Sequence, residues 1–89
     1  MKTEEKIIRI LTMEFNKYRF PECEAKIIKI DEEYIKVEFT GTTASFSCCF
    51  DEHFEDYREM LEEREIKTKI ENVKRKEIGK FVVTFRKIM

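Results

Sequence analysis

The chain has 89 residues, with two glycines, one proline, three cysteines and no tryptophan, and hydrophobic and charged residues each make up 42% of it. That suffices for one core in a single domain spanning 1–89 and excludes a second core or a disordered tract. The formal net charge of −1 excludes a protein basic all over, and the absence of any long apolar run excludes a membrane span.

From Thr3 to about Tyr18 the apolar residues Ile7, Ile8, Leu11, Phe15 and Tyr18 recur at spacings of three and four, which predicts a helix. Ile10 and Met13 widen its apolar stripe. Thr3 is placed to cap it, Glu4 and Glu5 suit its positive end, and Phe20-Pro21 closes it. The segment 23–31 is then rich in β-branched residues, and Asp31-Glu32-Glu33 interrupts it. Ile35, Val37 and Phe39 alternate with Lys36, Glu38 and Thr40, the period of a strand with one wet face. Gly41 between threonines marks a reversal, after which Ala44, Phe46, Cys48 and Phe50 alternate with Ser45, Ser47 and Cys49. Three such runs predict an antiparallel meander.

Asp51 is the N-cap candidate of a second helix, whose Phe54, Tyr57 and Leu61 share one face and whose end is marked by Arg64. Residues 66–73 return to a strand pattern, 74–77 (KRKE) reads as a charged turn, and Phe81, Val83 and Phe85 alternate with Val82, Thr84 and Arg86. The expected fold is therefore α+β, in the order α-β-β-β-α-β-β. It is a five-stranded, mostly antiparallel sheet with both amphipathic helices packed on one face.

Glutamine is absent, isoleucine (eleven) far outnumbers leucine (two), and the charged surface is dense, a composition associated with thermophiles. Three cysteines cannot all pair internally, and Cys48 and Cys49 adjoin, so a reduced, cytoplasmic protein without a secretory leader is expected. Adjacent cysteines on a strand face opposite ways, which argues against a zinc site built from Cys23, Cys48, Cys49 and His53. A Cys49–His53 nucleophile pair lacks an oxyanion hole and a third group to orient the base, and two glycines supply no phosphate-cradling loop. No enzyme, cofactor or metal is expected.

Two non-catalytic roles follow from the pattern. If Ile27 and Phe81 face the core, Ile28, Ile30 and Val82 lie on the open side of the sheet with Cys49, an apolar strip suited to a homodimer or another protein partner. This interaction domain, adaptor-like or chaperone-like, is the first expectation. The second comes from charge: residues 51–63 carry one positive and seven negative groups, residues 64–89 nine and three. Lys67, Lys69, Lys74, Arg75, Lys76, Lys80, Arg86 and Lys87 gather on the closing hairpin, where they suit weak, sequence-independent contact with nucleic-acid phosphates.

Overall fold

The computed structural model of the protein describes residues 2–41 and 51–88. In chain order they form α1 (Lys2–Arg19), β1 (Glu24–Ile30), β2 (Tyr34–Thr40), α2 (Glu52–Glu63), β3 (Thr68–Glu77) and β4 (Lys80–Lys87). The fold is α+β, with a four-stranded antiparallel sheet of order β1-β2-β4-β3. None of the helices among the described residues is long and apolar enough to cross a membrane.

The five-stranded sheet expected from the sequence is corrected to four strands. A third meander strand would have to pair beside β2, but both edges of β2 are occupied. β1 runs along one from Glu24↔Thr40 to Ile30↔Ile35, and β4 along the other from Tyr34↔Arg86 to Thr40↔Lys80. The segment 44–50, on which the extra strand is expected, lies outside the described residues. The charged turn expected at 74–77 is also displaced. Those residues belong to β3, and the chain reverses at Ile78-Gly79, where Gly79 takes φ +82° at no steric cost.

α1 buries Ile8, Leu11, Thr12 and Phe15, while Ile10, Met13 and Tyr18 are exposed. At 100° per residue Ile10 and Met13 fall on the side away from the sheet, so spacing alone overextended the stripe. Lys17 and Arg19 occupy the last turn, and the Phe20-Pro21 peptide, which is cis, follows it. Asn16 then ties the helix to the rim of the sheet. Its side-chain N–H donates to the Ala25 carbonyl at 2.9 Å, and the Ala25 N–H donates back to Asn16 Oδ1 at 2.7 Å. One side chain thus takes the place of a neighbouring strand and satisfies two rim groups of β1.

In α2, Phe54, Tyr57 and Leu61 are buried. The cap expected from Asp51 is not made by its side chain, because the residue is itself in a helical conformation; its carbonyl instead accepts from the Phe54 N–H at 3.0 Å. The C-terminus is more elaborate. Glu65 adopts φ 64°, its N–H donates to the Glu62 carbonyl at 2.9 Å, and the Ile66 N–H reaches back to the Leu61 carbonyl at 2.9 Å. This is a Schellman closure with glutamate where glycine is usual.

Both helices meet the sheet on the same face, around Phe39. Its ring centroid lies 5.9 Å from Phe15 of α1, 4.8 Å from Phe54 and 5.6 Å from Tyr57 of α2, and 6.3 Å from Phe85 of β4. Ile35, Val37, Val83 and Phe85 complete the floor. Within this core Thr12 Oγ donates to the Ile8 carbonyl at 2.7 Å, so the hydroxyl of Tyr57, also 2.7 Å away, is the donor to Thr12. Gly41, just beyond β2, is required by proximity: a Cβ there would stand 1.9 Å from the Glu22 carbonyl oxygen, in the connection between α1 and β1.

Candidate functional site

The helices cover one face of the sheet, and the register fixes what occupies the other. Paired residues share a face and alternate along each strand. The outer face accordingly carries Glu24, Lys26 and Lys29 on β1, Tyr34, Lys36, Glu38 and Thr40 on β2, Lys80, Val82, Thr84 and Arg86 on β4, and Lys69, Asn72, Lys74 and Glu77 on β3. Of the ten lysines and arginines in the four strands, seven lie on this face: Lys26, Lys29, Lys36, Lys69, Lys74, Lys80 and Arg86. α2, on the opposite side, holds six carboxylates against one arginine. The charge reversal seen along the chain is therefore a reversal across the sheet.

Some of these cations are already engaged. Arg86 donates two hydrogen bonds to Glu71, and this holds the Glu71 carboxyl below the usual carboxylate range. Lys80 lies 3.1 Å from Glu77 and 3.7 Å from Glu38, and its ammonium is pushed up chiefly by the bond to Glu77. Lys29 is 3.8 Å from Asp31. Lys26, Lys36, Lys69 and Lys74 form no ion pair within 4.0 Å among the described residues. These four come from three strands. Adjacent strands are about 4.8 Å apart and same-face residues about 7 Å apart along a strand, so the lysine tips can reach one extended anion together.

The basic hairpin read from the sequence is divided by the fold. Lys69, Lys74, Lys80 and Arg86 share the outer face, but Arg75 pairs with Phe81 on the inner alternation, with its guanidinium 5.9 Å from that ring. Lys76 sits at an irregularity between Arg75 and Glu77. Lys87 turns to the helix side, where it is half-buried and ion-paired with Glu4. Lys67 precedes β3 and, with Lys87, Glu4, Glu32, Glu33 and Glu65, lines a groove of about 610 Å³.

The apolar strip is likewise broken up. The β1 ladder slips between Ile27 and Lys29, leaving Ile28 as the extra, exposed residue and returning Ile30 to the core side opposite Ile35. Val82 is on the outer face between Glu38 and Lys74. Cys49 lies outside the described residues. The outer β3 rim has irregularities between Ile70 and Asn72 and between Arg75 and Glu77, while the β1 rim carries the Ile28 bulge and the Asn16 clasp. Rims interrupted in this way resist pairing with another strand.

Of the remaining reactive groups, Cys23 is fully buried, and burial pushes its thiol up to about 12, which makes it a poor nucleophile. His53 is half-buried in the first turn of α2.

Lys26, Lys29, Lys36 and Tyr34 belong to the outer face but stand far in sequence from the basic hairpin. The signal for Lys36 is the alternation within 34–40, whereas Lys26 and Lys29, three residues apart, reach the same side only through the slip at Ile28, which alternation does not record. Only the β2–β4 pairing joins that side to the hairpin. Comparison with protein families, with characterised proteins and with solved structures yields no match to this chain.

Proposed function

We propose that the protein is a non-enzymatic nucleic-acid-binding domain that uses the outer face of its sheet to hold phosphates without reading sequence. The observation that carries this reading is the set of four lysines, Lys26, Lys36, Lys69 and Lys74, gathered from three strands with no ion-pair partner among the described residues. Glu38, opposite Lys26, and Glu71, near Lys69, offset part of this charge, and ammonium groups gathered without a close ion pair gain when a polyanion arrives. The sequence's other expectation, a protein partner on an apolar strip, has less support because Ile30 packs inward and Ile28 and Val82 are separated by charged residues.

The test is fluorescence anisotropy with a mixed-sequence RNA about twelve nucleotides long at low salt. With four phosphates engaged, the logarithm of affinity should fall against the logarithm of salt with a slope of about −3. Replacing Lys26, Lys36, Lys69 and Lys74 together by glutamate should abolish binding. The double variant Lys6→Glu/Lys17→Glu, on the far side of α1, should bind within about threefold of wild type, since well-separated exposed charges are screened. No binding by the wild type in about 50 mM salt, or equal binding by the fourfold variant, would overturn the proposal.

A further inference from the structure

Resting on the nucleic-acid reading, we infer that the outer face takes single strands in preference to duplexes, with one base stacked on the ring of Tyr34 and the flanking phosphates held by Lys29 and Lys36. Three strand spacings make the face about 15 Å wide. A duplex major groove is about 12 Å wide and admits a helix or a two-stranded ribbon, so this sheet can meet a duplex only along its outer phosphates. A single strand lies across a sheet and presents both its backbone and its bases.

Tyr34 is the one aromatic side chain that the register places on this face among the described residues. It is half-buried, so its ring is held in place while keeping part of its surface open. Two ammonium groups hover over that ring, Lys29 Nζ at 5.8 Å and Lys36 Nζ at 5.6 Å from its centroid. Such contacts are weak at exposed sites, and the flexible lysine stems let both charges swing onto phosphates when a base takes their place, Lys29 giving up its 3.8 Å exposed contact with Asp31 to do so. Arg86, the cross-strand neighbour of Tyr34, would compete for the same ring if it were free. It is held instead by its two hydrogen bonds to Glu71.

From the Tyr34 row, Lys36 and then Lys26 and Lys74 follow in successive rows toward the other end of the face. Two row spacings make the path about 14 Å long, room for roughly three to four nucleotides. Glu38 interrupts it, with Lys80 3.7 Å away to offset its charge.

The experiment measures anisotropy of a labelled single strand and of the duplex of the same sequence, with wild type, Tyr34→Ala, Tyr34→Leu and Tyr34→Phe, each first shown to be folded by circular dichroism. The wild type should prefer the single strand by about tenfold or more. Tyr34→Ala and Tyr34→Leu should lose about 5- to 100-fold in single-strand affinity with an unchanged salt slope, while Tyr34→Phe should stay within about threefold. Duplex and single strand bound equally, or Tyr34→Ala binding like wild type, would overturn this inference and leave the phosphate-binding reading standing. Failure of the wild type to bind either form would remove both.

Discussion

The direction of the Thr12–Tyr57 hydrogen bond makes a quantitative prediction about stability. Thr12 has one hydroxyl proton, given to the Ile8 carbonyl at 2.7 Å, so Tyr57 must donate across the helix–helix contact to Thr12 Oγ. The two ends of this bond are therefore unequal. Tyr57→Phe removes the donor and leaves an acceptor that still makes its own bond, at a cost of about 1 kcal/mol. Thr12→Val removes the acceptor and strands the hydroxyl of Tyr57, a residue with no exposed surface, at a cost of about 2 kcal/mol. The Ile8 carbonyl loses little, because it retains the helical N–H of residue 12. In the double variant neither of the two sites keeps a stranded hydroxyl, so the total should be near 1 kcal/mol, giving a coupling of about 2 kcal/mol between the sites. Urea unfolding at neutral pH reads this directly. With an m-value of about 1 kcal/mol/M, the midpoint should fall by about 2 M for Thr12→Val and about 1 M for Tyr57→Phe. If Tyr57→Phe is the more damaging change, or if the two add to within about 0.3 kcal/mol, the assigned direction is wrong.

Three further outcomes follow from the same structure. Gly41→Ala should destabilise by about 1–3 kcal/mol in urea, because its Cβ meets backbone rather than a yielding side chain; a neutral result would mean that the contact with Glu22 is not maintained. Glu65→Gly should instead stabilise by roughly 0.5–1 kcal/mol by relieving the left-handed conformation at the end of α2, and a loss of stability would contradict that account. Burial pushes Cys23 and Tyr57 up to about 12 from ordinary values of 9.0 and 10.0, so the fold disfavours their anions. Their contribution is fully present below pH 9 and is lost as pH rises from there to 12, at about 1.4 kcal/mol per unit for each group within its window. The double variant Cys23→Ala/Tyr57→Phe should show a shallower alkaline decline than wild type, and an identical slope would count against the burial effect.

Helices were the most legible part of the chain, since Ile8, Leu11 and Phe15, and then Phe54, Tyr57 and Leu61, repeat at a period that only a helix places on one face. Strand residues were legible one at a time. Their assembly was not, because the partner of β2 is chosen by long-range pairing with β4, and nothing within 34–50 records that choice. One extra residue at Ile28 then reversed the facing of Ile30, a shift that alternation cannot register. The same limit applied to the site. Basic residues adjacent in sequence, such as Lys74, Arg75 and Lys76, were scattered to different faces, whereas Lys36 and Lys74, distant in sequence, were brought to the same one.

The opposed charge of the sheet face and of α2 gives the molecule a large dipole but almost no monopole, its formal net charge being −1. Beyond a Debye length, about 10 Å in moderate salt, a polyanion experiences little pull, and capture depends on chance collisions in the right orientation. Once the lysines touch phosphates, the field at contact range is strong and displaced counterions resist the reverse step. Added salt should therefore shorten the lifetime of the bound state far more than it slows encounter, the inverse of the behaviour of a uniformly cationic protein.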